Sequence, residues 1–138
     1  MDILELPTVP VCPQDGAQDV MLCYEGQSVL RALGEPETWK DVAFSQITRE
    51  TVEDEEYDVM GYSVRTQEYR YTQWIGFNYT LSEPDWDDVR GGELYDHVTD
   101  PDENYNVNED PIYADVIDEM YQLLRDGWRG VVVPAEDL

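Results

Sequence analysis

The sequence predicts an α+β fold: a small four-stranded antiparallel sheet with one C-terminal helix. Three observations carry this. Two runs rich in Val, Ile, Tyr and Trp, Met60 to Arg65 and Tyr69 to Phe77, flank a short polar gap of the kind that closes a hairpin. Apolar residues from Ile112 to Leu124 recur at helical spacing behind an Asp-Pro start. The chain of 138 residues, 41% hydrophobic with 4 Trp, 10 Tyr and 2 Phe, suits one domain with a modest core, or one subdomain of a larger protein. That apolar content also argues against a disordered acidic tail.

Residues 1–40 read as an irregular connecting segment, proline-rich up to residue 24. A short helix is expected over Glu25–Leu33, where Val29, Leu30 and Leu33 form one apolar stripe and Gly34 before Pro36 ends it. Residues 41–138 carry the folded unit. Val42 to Ser45 reads as a strand, and Glu53 to Glu56 as a solvated acidic loop. In the hairpin, a two-residue turn at Gln67-Glu68 sets Thr66 opposite Tyr69, Arg65 opposite Arg70 and Val64 opposite Tyr71. Met60, Tyr62 and Val64 then share a face with Tyr71, Gln73 and Ile75, and that face belongs on a core. A polar loop through Pro84 and Gly91-Gly92 leads to a short strand, Glu93 to Asp96. Asp110 is the expected N-cap and Pro111 the first helical residue. Ile112, Val116, Ile117, Met120, Tyr121, Leu123 and Leu124 supply the apolar stripe, and Gly127 marks the end. There is no internal repeat.

With 8 basic and 32 acidic residues, the formal net charge is −24. Such a surface repels nucleic acid and anionic membrane, which excludes both as partners. It also repels any anionic ligand over most of its area, so a site for one must be a local exception or lie in other sequence. Lys40 is the only lysine. A high-salt habitat, an acidic compartment and compositional drift all account for that balance. No stretch approaches the roughly 20 apolar residues of a membrane span.

Cys12 and Cys23, flanked by Pro13, Asp15 and Gly16, suit a small disulfide-closed loop and hence an oxidising compartment. Two buried free thiols are the alternative, and zinc is disfavoured because no other ligands lie nearby. Asn78-Tyr79-Thr80 is a glycosylation acceptor pattern, in keeping with a lysosomal or secreted route. The N-terminus has no basic region followed by an apolar run. A disulfide-bearing chain is then expected to be a piece whose export signal lay upstream.

Asp100, Asp102, Asn104, Asn106 and Asn108 alternate as in a calcium loop. The sixth position is Tyr105 where a glycine is needed, and the twelfth is Pro111 where a bidentate Glu is needed. Turns built by Asp and Asn side chains on nearby backbone are the expected role. His97, the only histidine, reads as a structural residue at a strand end. Arg65 and Arg70 face each other across the hairpin, and like charges there need an anion. Carboxylates supply it in a structural reading; a substrate carboxylate or sulfate does so in a functional one.

The ordered set of segments resembles the C-terminal region of formylglycine-dependent sulfatases, a likeness spread over most of residues 9–130. The run Met60-Gly-Tyr-Ser-Val-Arg-Thr-Gln-Glu-Tyr-Arg-Tyr-Thr-Gln-Trp-Ile-Gly-Phe is similar to the hairpin of the iduronate-2-sulfatase subgroup. Glu93-Leu-Tyr-Asp, followed by Asp100-Pro-Asp-Glu-Asn-Tyr-Asn, resembles the wider sulfatase pattern. Val11-Cys-Pro with Cys23 before Glu25-Gly26 resembles the subgroup's disulfide loop.

The resemblance implies that 41–138 is the C-terminal subdomain of an alkaline-phosphatase-like sulfatase. It implies a large catalytic domain as partner and sulfate esters of uronate-containing glycosaminoglycans, such as heparan or dermatan sulfate, as substrates. In such enzymes the formylglycine arises from a Cys/Ser-x-Pro-x-Arg motif beside a bound calcium. Neither Cys12 nor Cys23 begins that motif, so no catalytic or metal residue is carried over to this chain, and the calcium ligands are expected outside it. The isolated chain is then expected to be inactive. A non-catalytic acidic binding module derived from a sulfatase is the alternative.

Overall fold

The structure, a computed structural model, describes residues 41–49 and 58–130, together with residues 10, 12, 22, 23 and 33, with side chains through residue 127. The expected helix over Glu25–Leu33, of which Leu33 alone is described, and the acidic run Glu53–Glu56 lie outside the described residues. The chain divides into two compact units, Met1–Lys40 and Asp41–Leu138. In the first, Cys12 and Cys23 form a disulfide with their Cα atoms 4.9 Å apart, which sets aside the free-thiol alternative.

The second unit is a four-stranded antiparallel meander followed by a helix. Strands β1 (Ala43–Arg49), β2 (Val59–Arg65), β3 (Tyr69–Asn78) and β4 (Glu83–Asp96) lie in chain order across the sheet. The hairpin forms as its sequence dictates. Gln67-Glu68 make the turn, the Thr66 amide donates to the Tyr69 carbonyl at 2.9 Å, and the Tyr69 amide donates to the Thr66 hydroxyl at 3.0 Å. Arg65 pairs with Arg70, Val64 with Tyr71, Tyr62 with Gln73 and Met60 with Ile75.

That register builds the core. Phe44, Val64, Tyr71 and Leu94 stand in one row across the four strands, and Val64 and Leu94 are fully buried. Helix α1 (Ala114–Gly130) lays Met120 and Leu124 on this row, with Val116, Ile117 and Tyr121 half-buried beside them. These positions fall three and four residues apart, so one stripe of the helix meets the sheet. Asp110 caps the start, accepting from the Ile112 amide at 3.0 Å, and Pro111–Tyr113 form a 3-10 turn before the α-helix. Ile112 lies in that turn, out of phase with the stripe, and is 84% exposed; the expectation that it joins the core is wrong. Gly127 adopts φ 68, a left-handed value natural to glycine, and kinks the helix before its last residues. The first helical run therefore ends at Gly127, where the sequence marks it, and a short second run continues to Gly130.

The larger departure is β4. The stretch through Pro84 and Gly91-Gly92, expected as a loop, belongs to a 14-residue strand. Ile75 pairs with Val89 but Gly76 with Asp85, so Trp86, Asp87 and Asp88 bulge out of the ladder. Proline at the second position and two glycines disguise the strand, because each suits a loop equally well. The bulged Trp86 joins the core edge, with its ring 5.1 Å from that of Tyr62 and the Arg125 guanidinium 4.5 Å above it. The outer edge of β4 is covered at Leu94: the Val107 amide donates to the Leu94 carbonyl at 2.9 Å, and Asn106 Oδ1 accepts from the Leu94 amide at 3.0 Å.

Leu94→Ala should cost about 2–5 kcal/mol of stability, because the central buried side chain leaves a cavity between sheet and helix. Ile112→Ala should stay within about 0.5 kcal/mol of the parent. Urea titration followed by circular dichroism reads both, and equal effects would contradict the packing described.

Candidate functional site

Side chains alternate across a strand, so the residues between the core positions point to the sheet face away from α1. That face carries Gly61, Ser63 and Arg65 of β2, Arg70, Thr72 and Trp74 of β3, and Glu93 and Tyr95 of β4. Ser63 and Thr72 hydroxyls bond each other across the strands at 2.8 Å. The Trp74 ring lies flat over Gly61, where a Cβ would stand 2.7 Å from it, and its indole N–H donates to Glu93 Oε1 at 2.9 Å. Any side chain at Gly61 displaces that ring.

At the hairpin end of this face the two arginines have their anion. Arg70 Nη2 donates to Glu103 Oε2, while Arg65 Nη1 lies 3.8 Å from Glu103 Oε1. His97, just past β4, stands between them with its Nε2 2.6 Å from Glu103 Oε1. Arg65 Nη1 lies against the same ring, 3.0 Å from Nδ1 and 2.8 Å from Nε2. The Arg70 guanidinium also sits 5.0 Å over the Tyr95 ring, a cation–π contact. Arg65, Arg70, His97 and Glu103 thus form one charge cluster drawn from β2, β3, the end of β4 and the loop after it. Burial pushes the Glu103 carboxyl up, but the His97 hydrogen bond and the Arg70 charge and hydrogen bond outweigh it, so its pKa lies below the usual value. Glu103 takes a backbone φ of 56, rare outside glycine and costing about 1 kcal/mol or more. The carboxylate is held where the arginines need it despite that cost.

A carboxylate of this chain does meet the Arg65–Arg70 pair, and it comes from a residue that sequence reasoning left inside an Asp/Asn-rich turn. His97, expected as a strand-end residue, stands just past β4 with a partner six residues on. The signal available in the sequence was the charge rule alone, since a chain with 32 acidic residues nominates no particular one.

The turn-building role of the Asp/Asn run holds in detail. Asp100 accepts from the Asn104 side chain at 2.9 Å and the Tyr105 amide at 2.8 Å, and Asn106 Oδ1 accepts from the Leu94 and Asn108 amides. Those oxygens are committed to the chain itself. Among the described residues no three of His, Cys, Asp or Glu are grouped to hold a metal ion. Asp96, buried at 7% exposure, accepts from the amides of Val98 at 2.9 Å and Thr99 at 3.3 Å and from the Tyr113 hydroxyl at 3.0 Å, tying β4 to the helix start. Burial raises its pKa, these hydrogen bonds lower it, and the net direction is down. Asn78, the glycosylation candidate, is exposed at the end of β3, where its side-chain oxygen accepts from the Leu81 amide at 3.0 Å.

The comparisons point one way. No family model matches the sequence. Iduronate 2-sulfatase of Mus musculus is 34% identical over 124 residues, and that of Homo sapiens 31% over 140. The matches take in 76% and 88% of this chain but only 22% and 24% of those proteins, so the chain spans about a quarter of their length or less. Among solved structures, the phosphonate monoester hydrolase of Agrobacterium radiobacter aligns over 75% of this chain and 21% of its own, with a TM-score of 0.51 and 23% identity. A protein solved with its substrate D-glucosamine-2-N,6-O-disulfate aligns over 82% of this chain and 22% of its own, with a TM-score of 0.52 and 24% identity. At these identities the solved structures speak for the fold.

Two outcomes follow for the cluster. Glu103→Gln should lower stability by about 1–3 kcal/mol, since it removes the charge that both arginines meet. Adding Arg65→Ala to Glu103→Gln should cost little more or recover part of the loss, and additive losses in the double-mutant cycle would show the pair to be uncoupled. The Asp96 and Glu103 carboxyls, lowered in the fold, contribute stability that is full above the unfolded pKa near about 4 and lost as pH falls through the folded values. Urea midpoints should hold steady above about pH 5 and drop below about 4. Asp96→Asn should flatten the drop, and an unchanged slope would remove Asp96 as a cause.

Proposed function

By sequence and fold the chain corresponds to the C-terminal subdomain of the sulfatase family, and from that premise we propose that it completes an enzyme hydrolysing sulfate esters of uronate-containing glycosaminoglycans, such as heparan or dermatan sulfate. The observation that carries the reading is the identity of 31–34% with two iduronate 2-sulfatases across most of this chain. The sheet-and-helix architecture supports it.

In this reading the chemistry belongs to a catalytic domain of the same assembly. Sulfate ester hydrolysis needs an activated nucleophile and cationic groups on the sulfate oxygens. In such enzymes that domain supplies the formylglycine beside a bound calcium. This chain's own residues fit neither role. Ser82-Glu-Pro84-Asp-Trp86 is the nearest approach to the Cys/Ser-x-Pro-x-Arg motif, and it ends in Trp86 where an arginine is required. The oxygens of Asp100 and Asn106 are occupied by the chain's own amides, so this run does not fit a calcium ion. What the subdomain contributes is a rigid hairpin, locked on one side by the core row and on the other by the Arg65–Glu103–Arg70 cluster. The Cys12–Cys23 disulfide and the exposed acceptor Asn78 support a lysosomal or secreted protein that is glycosylated there. No helix among the described residues is long and apolar enough to cross a membrane.

A net charge of −24 favours a second reading, a non-catalytic acidic binding module that keeps the sulfatase-derived fold. The coding sequence decides between them. An in-frame Cys/Ser-x-Pro-x-Arg motif upstream of Met1, and aryl sulfate turnover by the chain expressed with that region but not by the chain alone, are expected for the enzyme. An upstream region without the motif, or turnover by the isolated chain, would overturn the proposal. In the assembled enzyme, Arg65→Ala should lower folding yield and Tm while leaving KM near normal. A stable variant with KM raised about tenfold, or about 1.4 kcal/mol, would place Arg65 at the substrate instead.

A further inference from the structure

Beyond the charge cluster, the same sheet face holds an open recess of about 530 Å³, lined among others by Arg49, Trp74, Arg90, Gly91, Glu93 and Asn106. Its volume falls within the roughly 300–1,000 Å³ of small-molecule sites. The hydrogen-bonding capacity of its lining is unevenly distributed. The side-chain acceptors already hold donors: Glu93 Oε1 accepts from the Trp74 indole at 2.9 Å and Oε2 from the Tyr95 hydroxyl at 3.3 Å. Asn106 Oδ1 accepts from two backbone amides, and its Nδ2 donates to the Gly92 carbonyl at 3.2 Å.

The donors are not committed in the same way. Arg90 gives Nε and Nη2 to Asp88, each at 2.7 Å, which leaves Nη1 open. Arg49 meets no carboxylate within 4 Å among the described residues, and its guanidinium lies 5.4 Å over the Trp74 ring. Trp74 is itself clamped on Gly61 and Glu93, so it offers Arg49 a fixed platform. A Cβ at Gly91 would meet nothing within 4 Å, so that stretch of backbone is unobstructed.

A concave site with guanidinium donors open among the described residues, and side-chain acceptors that already hold a donor, favours an acceptor-only ligand. The planar fork of arginine matches carboxylate and sulfate oxygens two at a time. We propose that this recess binds an acidic sugar residue, by its uronate carboxylate or its sulfate ester, through Arg49 and Arg90. The sugar identity rests on the sulfatase reading above; the preference for an anion rests on the recess alone. The chain's −24 charge does not forbid it. At about 0.1 M salt the screening length is about 10 Å, so carboxylates across the molecule are muted while the two arginines act at contact. The site is separate from the Arg65–Arg70 pair, whose charges Glu103 already meets.

The test is a titration of the nitrogen-15-labelled 138-residue chain with a sulfated, uronate-containing tetrasaccharide and with its desulfated counterpart. Saturable shifts of the Trp74 indole and the Gly91 and Gly92 amides are expected. Shifts with both sugars identify the carboxylate as the ligand, and shifts with the sulfated one alone identify the sulfate. Arg49→Gln should weaken binding about tenfold, about 1.4 kcal/mol, with the remaining spectrum unchanged. Asp88→Asn, which frees Arg90 from its partner, should strengthen it; a merely structural Asp88 would not. Absence of shifts at these three positions, or unchanged affinity in a native-like Arg49→Gln, would overturn the proposal. So would their appearance without any sugar when Glu53–Glu56 are neutralised, since the chain's own acidic run would then be the occupant. Turnover by the assembled enzyme without binding here would sink this site and leave the sulfatase reading standing. Binding here without turnover would do the reverse.

Discussion

The pairing of β2 with β3 governs everything else in the folded unit. Because side chains alternate, one register decides both faces together. Setting Val64 against Tyr71 puts the apolar set under α1, and the same pairing sets Arg65 against Arg70 on the other side. A slip of β3 by one residue would turn Arg70 toward the core and Tyr71 and Ile75 away from it. The two-residue turn at Gln67-Glu68 leaves no slack for that slip. The arginine pair is thus a by-product of the register that makes the core, and Glu103 is the compensation, reached at the cost of an unfavourable backbone conformation.

The distribution of positive charge follows from this arrangement. Arg49, Arg65, Arg70 and Arg90 all serve the sheet face away from α1, while Arg125 lies on the helix over Trp86 and Tyr121. A molecule with 8 cations against 32 carboxylates concentrates basic groups on one face of a small sheet. Two of the four share the single carboxylate of Glu103 and one is oriented by Asp88, so the face is a graded field whose least compensated member among the described residues is Arg49. A uniformly acidic chain can therefore present a local anion-accepting surface without changing the sign of its long-range field.

How much of this was legible in the sequence depended on whether the deciding interactions were local. The hairpin was readable residue by residue, since its alternation and its turn lie within 18 consecutive positions, Met60 to Phe77. The Asp110 cap, Pro111 and the stripe from Val116 to Leu124 were readable for the same reason, with Ile112 misplaced because a 3-10 turn shifts the phase by which an apolar residue meets the core. β4 was misread because Pro84, Gly91 and Gly92 carry loop statistics, and only pairing with β3 makes them a bulged strand. Glu103 was out of reach: its partners lie 33 and 38 positions away, and its own left-handed backbone leaves no trace in a run where Asp and Asn already signal turns. The recess was equally hidden, because Arg49, Trp74 and Arg90 meet only once the sheet exists. The need for an anion beside the arginine pair, by contrast, followed from charge alone and was met.

The two edges of the sheet are not equivalent. Asn106 and Val107 occupy the hydrogen-bonding groups of β4 around Leu94, whereas β1 ends the sheet with six of its seven residues exposed and no strand beyond it among the described residues. Among the described residues, a fifth strand alongside β1 would meet an open ladder, whereas beside Leu94 it would first have to displace Asn106.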